Sequence, residues 1–313
     1  MRGAPRVSIV VPFHDYDVTQ QARELCALAT RAGSGLCEVI YADDASHERR
    51  HGRELQAVLD AAQCPALQLR FEQNLGRAAI RNRLAVAARG AFLLYLDADM
   101  LPDRADFLDA YLSYTHGPTI TAVCGGRSYT RLGRCPPEAA LYHYFSQRTE
   151  CVAAETRQTL ARLYLLTNNL LVDRQAMLAH PFDERYVGWG FEDFDWSLRL
   201  PDTARIAHID NPATHMGVLS ERELLSKYAS SQQNFLHLYR AHGAALDTLA
   251  LVRVSRRMAR LPLPLTLCNR LARSALQWRW LPLLLRFYGI QLYRASLYAI
   301  SLQQKGHHVA IPG

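Results

Sequence analysis

Short apolar runs alternate with helical patterns over the first hundred residues. The apolar runs, each rich in Val, Ile, Leu or Tyr, lie at residues 6–12, 37–42, 66–71 and 92–100. The segments between them that carry Ala and Leu at helical spacing are residues 19–32, 54–62 and 77–89. This alternation predicts an α/β fold in which helices cover both faces of a mostly parallel sheet.

The later pattern is less regular and then becomes helical. Its predicted helices and strands are a helix at 104–115, strands at 120–127, 163–172 and 204–209, and helices at 221–242, 246–260 and 267–302. We therefore expect an α/β domain at 1–219 and a helical region at 220–313.

Two aspartates, Asp97 and Asp99, end the fourth apolar run. In an extended segment, residues two apart point to the same face, so we expect the two carboxylates to lie together. Hard oxygen ligands of this kind suit a Mg²⁺ or Mn²⁺ ion that carries phosphate oxygens. A plain turn at the end of a strand is the alternative, because Asp is common in turns.

The segment GWGFEDFDW at 188–196 combines glycines, tryptophan and acids. Trp189 offers a flat apolar wall, while Glu192 and Asp193 begin a helix whose dipole favours their ionised forms. Such a wall beside carboxylates could bind a sugar ring and deprotonate its hydroxyl. A tryptophan-anchored turn before an acidic helix start explains the pattern equally well.

Three polar residues, Thr167, Asn168 and Asn169, interrupt the apolar run at 163–172. Polar groups buried in a strand need partners. They either satisfy backbone groups or face a ligand, and the sequence favours neither interpretation.

The net charge of +7 is concentrated near the C-terminus. Residues 246–305 contain ten Arg or Lys and a single acid, Asp247. Aromatic and leucine residues lie between these cations, a pattern typical of an interfacial helix pair on anionic lipid. A helical cap, an oligomer contact or another polyanion are alternatives, and no nucleic-acid recognition motif accompanies the charge. No uncharged stretch approaches the roughly 20 residues of a spanning helix.

The seven cysteines are scattered and form no CxxC pair. This usage predicts a reduced cytosolic chain without a structural zinc. The apolar run that follows Arg2 and Arg6 is too short for a secretory signal, so we expect a cytoplasmic location.

Six segments of the chain form one recognisable set: VSIVVPFHD at 7–15, YADDAS at 41–46, NLGRAAIRN at 74–82, LDADM at 96–100, GWGFEDFD at 188–195 and ATHMG at 213–217. Together they resemble the inverting family 2 glycosyltransferases of the GT-A fold. The resemblance implies a catalytic domain at 1–219, with a nucleotide-binding half at 1–102 and an acceptor half at 103–219. The GWGxED element is similar to the C-terminal catalytic subdomain of galactosyltransferases and chondroitin polymerases.

The resemblance implies a metal-dependent, inverting hexosyltransferase that moves a sugar from a UDP-sugar to a hydroxyl of a glycan or lipid-linked acceptor. The residues that it implies for nucleotide-sugar binding are Pro12, Phe13, Asp43, Asp44, Arg77, Asn82, Asp97 and Ala98.

The resemblance also implies a metal site and a catalytic base. Asp99 and His215 would bind Mn²⁺ or Mg²⁺, with Asp97 contributing mainly to the ribose contact, and His208 is the rival histidine. A mixed carboxylate and imidazole set favours Mn²⁺.

The catalytic base implied by the resemblance is Asp193. Glu192 would orient acceptor or donor hydroxyls, and Trp189 and Gly190 would line the acceptor pocket. Polysaccharide biosynthesis at the inner face of a bacterial inner membrane is the expected setting, and the oligomeric state stays open. Two other functions are a nucleotidyltransferase with the same sheet and a non-catalytic nucleotide-sugar-binding scaffold.

Overall fold

The computed structural model of the protein describes residues 4–117, 120–262 and 264–306. The chain divides into two compact units. The first comprises residues 1–134, 147–187 and 192–217, and the second comprises residues 135–146, 188–191 and 218–313.

The described residues of the first unit form ten strands. They are β1 Val7–Phe13, β2 Cys37–Asp43, β3 Ala66–Arg70, β4 Phe92–Leu96, β5 Met100–Pro102, β6 Ala122–Cys124, β7 Arg127–Ser128, β8 Asn169–Asp173, β9 Ile206–His208 and β10 Ala213–His215. Seven form one sheet in the order β3-β2-β1-β4-β8-β6-β9, in which β1 to β4 are parallel and β8 runs antiparallel to both of its neighbours. The predicted mostly parallel sheet is confirmed.

The described helices include the predicted ones with shifted ends and three that the sequence pattern did not predict. They are α1 Thr19–Ala32, α2 Arg49–Asp60, α3 Arg77–Ala87, α4 Phe107–Leu112, α5 Ala140–Thr149, α6 Ala154–Thr159, α7 Arg174–Ala179, α8 Glu192–Arg199, α9 Glu221–Ser230, α10 Gln232–His242, α11 Ala250–Arg260, α12 Leu265–Gln277 and α13 Leu283–Gly306. The three that were not predicted are α5, α6 and α7, and two helices, α9 and α10, lie in place of the single helix predicted at 221–242. Strand β8 begins only at Asn169, so the strand predicted from residue 163 is six residues too long at its start.

Alternating side chains of the strands build the two cores of the first unit. In β1, Val7 and Ile9 pack on one face with Leu25 of α1, whereas Val10 packs on the other face with Leu84 of α3. All five of these side chains are buried. Helices on both faces therefore cover the apolar strands, as the sequence pattern predicts.

A small second sheet has the order β5-β10-β7, and its strand β5 follows β4 closely in sequence. Strand β10 pairs antiparallel with β5, so that His215 lies opposite Met100. This pairing brings the histidine beside Asp99, which precedes β5.

The second unit consists mainly of helices α9 to α13. The single helix predicted for residues 267–302 is wrong, because α12 ends at Gln277 and α13 begins after Pro282. The guanidinium of Arg286 closes this hairpin by donating to the Leu276 carbonyl from 2.7 Å. Among the described residues, none of the helices has the length and hydrophobicity that crossing a bilayer requires.

Candidate functional site

The two aspartates that follow β4 lie in a turn, with the Met100 amide donating to the Asp97 carbonyl at 3.1 Å. The predicted extended arrangement of Asp97 and Asp99 is therefore wrong. Gln21 of α1 holds the turn, because its buried amide donates to the carbonyls of Asp97 at 2.8 Å and Met100 at 2.6 Å. The bent backbone gives each carboxylate its own set of partners.

Arg81 is a buried cation of α3 that contacts three carboxylates. Its Nη2 donates to Asp97 Oδ1 at 2.9 Å, and its Nη1 donates to Glu192 Oε1 at 3.0 Å. The same Nη1 lies 3.5 Å from Asp193 Oδ1. Such a cation is tolerated in the interior because the acids around it compensate its charge.

Sequence reasoning missed Arg81, although one signal pointed to it. Arg77 and Arg81 lie four residues apart on α3 and so share a face of the helix. Arg77 Nε donates to Glu192 Oε1 at 2.9 Å, and its Nη2 lies 3.6 Å from Asp97 Oδ2. The two arginines thus converge on the same pair of acids.

Glu192 and Asp97 are held in their ionised forms. Burial alone would raise both pKa values, but the arginines outweigh it, with Arg77 leading at Glu192 and Arg81 at Asp97. The pKa of Glu192 lies below its ordinary value, and that of Asp97 falls to about 2. Neither carboxylate is suited to accept a proton at neutral pH.

Asp193 differs from its neighbour Glu192. Burial raises the pKa of Asp193, Arg81 opposes the rise, and the charge of Glu192 adds to it, so that the pKa reaches about 6. The two adjacent acids are therefore pushed apart in pKa, an arrangement typical of sites that separate a base from a positioning acid. A carboxylate with a pKa near 6 is ionised at neutral pH and still basic enough to accept a proton.

The polar residues around the start of β8 divide between the two interpretations, binding a ligand-facing acid or satisfying buried groups. The Thr167 hydroxyl donates to Asp193 Oδ1 at 2.9 Å, and the Thr167 amide donates to Oδ2 at 3.3 Å. Asn169 instead accepts from the Tyr111 hydroxyl at 2.6 Å and donates to the Gly126 carbonyl at 2.8 Å. Thr167 therefore orients the acid, whereas Asn169 satisfies buried polar groups.

Asp99, the second aspartate of the turn, contacts His215 and not the arginines of α3 that bind Asp97. His215 Nε2 lies 3.1 Å from Asp99 Oδ2. A Cβ atom on Gly217 would lie only 2.0 Å from the same oxygen, so the absence of a side chain at Gly217 makes room for the carboxylate. Burial would raise the pKa of Asp99, but His215 outweighs burial and holds that pKa below its ordinary value.

The rival histidine, His208, is fully engaged elsewhere. Its Nδ1 accepts from Arg157 Nη1 at 2.9 Å, and its Nε2 donates to the Ala161 carbonyl at 2.9 Å. Burial lowers the pKa of His208 and favours this neutral form. His208 therefore has a structural role, and the geometry favours His215 as a metal ligand.

The side chains of Asp99 and His215 are suitable ligands for a divalent cation, because one is a carboxylate and the other an imidazole. Asp97, Asp99 and His215 do not, however, bring three ligand atoms within 4.8 Å of one another. Within the described part of the chain, the trios that do so are His14, Asp15 and His47, and Asp17, His51 and Glu54.

The acids predicted to hold the nucleoside are buried and bind backbone amides. Asp43 Oδ1 accepts from the Ser46 amide at 2.8 Å. Asp44 accepts from the amides of Leu75 at 2.6 Å and Gly76 at 3.0 Å. These bonds fix the turn after β2 and the entry to α3, and nucleoside binding by the two acids stays a prediction.

The remaining nucleotide-binding candidates are placed differently. Pro12 and Ala98 are half-buried, and the Phe13 carbonyl accepts from the Asp44 amide at 2.9 Å. Asn82 binds Phe182 through both ends of its amide, each at 2.9 Å. The expected donor contact of Asn82 is not supported, because its side chain clamps the segment that follows α7.

Trp189 and Gly190 lie in the second unit. The half-buried Trp189 ring packs edge-on against Tyr228, with 5.4 Å between ring centroids, and Asn234 donates to the Gly190 carbonyl at 3.0 Å. Gly190 has a φ of 94° and Phe191 one of 76°. A bulky residue rarely adopts a positive φ, so the loop holds Phe191 under local strain. The acceptor pocket stays a prediction.

Comparison with known proteins adds a family match. Residues 8–151 match the family described as glycosyl transferase family 2. The match includes the four parallel strands and the turn at Asp97 and Asp99, and it ends before the GWGFED segment. No curated protein matches the sequence.

Three solved structures have a similar fold. Mannosyltransferase PcManGT from Pyrobaculum calidifontis, in complex with GDP-Man and Mn²⁺, gives a TM-score of 0.59 at 15% identity, over 95% of this chain and 88% of that chain. TarS 1–349 from S. aureus, in complex with UDP-GlcNAc, gives a TM-score of 0.52 at 14% identity, over 96% of this chain and 92% of that chain. Glucosyl-3-phosphoglycerate synthase from Mycobacterium tuberculosis, in complex with Mn²⁺, UDP and glucosyl-3-phosphoglycerate, gives a TM-score of 0.50 at 18% identity, over 75% of this chain and 80% of that chain.

At these identities the likeness concerns the fold, which is GT-A. The family match covers residues 8–151, which is less than half of the chain.

Proposed function

We propose that the protein is a metal-dependent, inverting hexosyltransferase that moves a sugar from a UDP-sugar to an acceptor hydroxyl. The observation that carries the proposal is the separation of roles between two adjacent acids. Glu192 is held ionised by Arg77 and Arg81, whereas Asp193 has a pKa raised to about 6. A carboxylate with a pKa near 6 can act as a general base, and an adjacent ionised carboxylate can position a substrate hydroxyl.

In the proposed reaction, Asp193 accepts the proton of an acceptor hydroxyl as the hydroxyl oxygen attacks the anomeric carbon. The bond from that carbon to the diphosphate breaks on the opposite side, so one displacement inverts the configuration. Thr167 holds the Asp193 carboxylate through two hydrogen bonds, which limits its rotation before the attack. Glu192, fixed by its arginines, orients a sugar hydroxyl by accepting a hydrogen bond.

The residues that would bind the cation are Asp99 and His215, with Asp97 beside them. A bound Mn²⁺ or Mg²⁺ would supply positive charge that offsets the negative charge of the departing diphosphate. The mannosyltransferase and the phosphoglycerate synthase structures contain Mn²⁺, which supports a divalent cation in the proposed reaction. The mixed donor set favours Mn²⁺.

The donor proposal rests on the turn and on helix α3. The side chain of Arg77 is 38% exposed, which leaves its guanidinium able to meet a diphosphate. TarS in complex with UDP-GlcNAc supports a uridine donor. We assign Asp43, Asp44 and the backbone of Pro12 and Phe13 to the nucleoside, following the family resemblance.

We further propose a glycan or lipid-linked acceptor and assign Trp189 and Gly190 to its binding. The proposed location is the cytoplasmic face of a bacterial inner membrane, where polysaccharide precursors are extended. The positive charge of residues 246–305 supports this location.

Nucleotide release from a panel of UDP-sugars, measured with and without Mn²⁺, tests the proposed activity. The slow hydrolysis expected without an acceptor releases UDP only when Mn²⁺ is present, and GDP-mannose is the matched control donor. Absence of binding and turnover with every UDP-sugar, in protein shown to be folded, contradicts the proposal. Pyrophosphate release from nucleoside triphosphates would instead indicate a nucleotidyltransferase.

A further inference from the structure

Exposed apolar side chains are concentrated in one part of the second unit. Among the described residues, 16 large hydrophobic side chains are exposed, and ten of them lie between Val254 and Leu292. Single exposed apolar residues are normal on a protein surface, whereas a cluster marks a contact with something else.

Helix α13 carries an exposed apolar stripe along one side. Leu284, Tyr288 and Leu292 follow one another at intervals of four residues and therefore lie on the same face. They are 50%, 61% and 47% exposed, respectively. The opposite face of the helix is buried and includes Ile290 and Tyr293, so the stripe points away from the core of the unit.

The turn between α12 and α13 adds two tryptophans at the start of this stripe. Trp278 and Trp280 stack on each other with 5.8 Å between centroids and an interplanar angle of 16°. They are 48% and 76% exposed. Tryptophan prefers the boundary between hydrocarbon and water, because its ring is apolar and its N–H needs a polar partner.

Exposed arginines accompany the apolar residues. Arg270 and Arg273 lie on α12, and Arg257 and Arg260 lie on α11, all four exposed. No ion pair within the described residues engages them. Arg279, between the two tryptophans, has its nearest carboxylate, that of Glu221, at 4.0 Å.

Other arginines of the region are used inside the unit, contrary to their predicted place on an interfacial face. Arg286 is buried and pairs with Glu221, and Arg256 pairs with Asp247. Phe287 is half-buried and packs against Phe145. The interfacial surface is therefore smaller than the sequence pattern predicts.

We propose that the second unit docks on an anionic lipid bilayer through this surface, which consists of the turn at residues 278–282, the outer stripe of α13 and the exposed arginines of α11 and α12. The aromatic turn enters the interface, while the guanidinium groups bind lipid phosphates. The proposal rests on the membrane location proposed above and specifies the surface that would bind, and flotation tests it without requiring sugar transfer.

The positive charge of this surface favours an anionic bilayer over a second copy of the chain, and its apolar side chains favour the bilayer over a nucleic acid. A second copy of the chain docked on the same surface would place like-charged arginines together, which is repulsive. A nucleic acid would bind the guanidinium groups but leave the tryptophans and leucines in water. An anionic bilayer satisfies both the charges and the apolar side chains.

Flotation of the full chain with liposomes tests this inference directly. The vesicles are phosphatidylcholine alone or phosphatidylcholine with 30% phosphatidylglycerol, and we expect flotation with the anionic vesicles only. Binding that is equal on both vesicle types, or absent from both, overturns the proposal.

Two pairs of substitutions distinguish the roles of the surface. Trp278→Ser with Trp280→Ser should abolish flotation. The control is Val86→Ser, at an exposed position on α3, which should float like the unmodified chain. Arg270→Gln with Arg273→Gln should weaken partitioning about fivefold per charge removed, because one such cation contributes about 1 kcal/mol. The matched control for the arginines is the exposed pair Arg49→Gln with Arg53→Gln on α2.

Circular dichroism shows whether each variant is folded. Folded tryptophan variants that float like the unmodified chain overturn the proposal. The proposal is also overturned if the molecular mass of the unmodified chain in solution rises with protein concentration while that of the tryptophan variant stays at the monomer value. The surface would then bind a second copy. Quenching of tryptophan fluorescence by brominated lipid, lost in Trp278→Phe with Trp280→Phe, is the supporting result.

Discussion

Arg81 Nη2 donates to Asp97 Oδ1 at 2.9 Å, joining helix α3 to the turn that follows β4. The other terminal nitrogen of the same guanidinium donates to Glu192 at 3.0 Å. One buried cation thus fixes the distance between the predicted donor turn and the start of α8. The position of Asp193, the next residue along α8, follows from this connection.

Replacement of Arg81 should destabilise the fold. Arg81→Met leaves buried carboxylates without their partner, and we expect a loss of about 3–5 kcal/mol in the free energy of unfolding, measured by urea denaturation. Arg83→Met, two residues further along α3 and 51% exposed, is the control and should change stability by no more than about 0.5 kcal/mol. Equal stability of the two variants would show that Arg81 is not the centre of this network.

The rate of transfer should depend on the ionisation of Asp193. A general base works only when deprotonated, so with a pKa of about 6 we expect kcat/KM to fall about tenfold per pH unit below pH 6 and to level off above it. The pH profile of kcat/KM between pH 4.5 and 8 measures this. A flat profile across that range would exclude Asp193 as the base.

Removal of the Thr167 hydroxyl should shift that profile. Thr167→Val removes a hydrogen bond that stabilises ionised Asp193, so the pKa rises and the acid limb moves to higher pH by about one unit. Thr159→Val, at an exposed position, is the control. An unshifted limb in Thr167→Val would mean that the hydroxyl does not stabilise the charged form.

A methyl group at position 217 should impair metal-dependent binding. In Gly217→Ala the new Cβ would lie 2.0 Å from Asp99 Oδ2, so the carboxylate must move, and we expect Mn²⁺-dependent UDP affinity to fall about 10- to 100-fold. Titration calorimetry measures that affinity. Gly117→Ala adds the same atom where nothing lies within 4 Å and should bind UDP normally. Normal binding by Gly217→Ala would argue against Asp99 as a metal ligand.

The order of strands and motifs predicted the sheet and located Asp99, His215 and Asp193. It did not show Arg81, because an arginine in a helical pattern is ordinarily assigned to the solvent face. Its burial depends on acids 16 and 111 residues away in sequence. The spacing of Arg77 and Arg81 shows only that they share a helix face, and it does not identify those partners.

Two local predictions were wrong for physical reasons. Asp97 and Asp99 were expected on an extended strand, but the amide of Gln21, 76 residues away from Asp97 in sequence, holds that backbone in a turn. A single helix was expected across residues 267–302, but α12 ends at Gln277 and α13 begins at Leu283. Proline lacks an N–H and cannot continue a helix, and Pro282 lies directly before α13.

Transfer by Asp193→Asn, measured with its UDP affinity in the presence of Mn²⁺, tests the central claim most directly. The substitution keeps the size of the side chain and removes its basicity. We expect UDP affinity close to that of the unmodified protein, and transfer slower by about 10²- to 10⁴-fold. Transfer at the unmodified rate would contradict the assignment of Asp193 as the catalytic base.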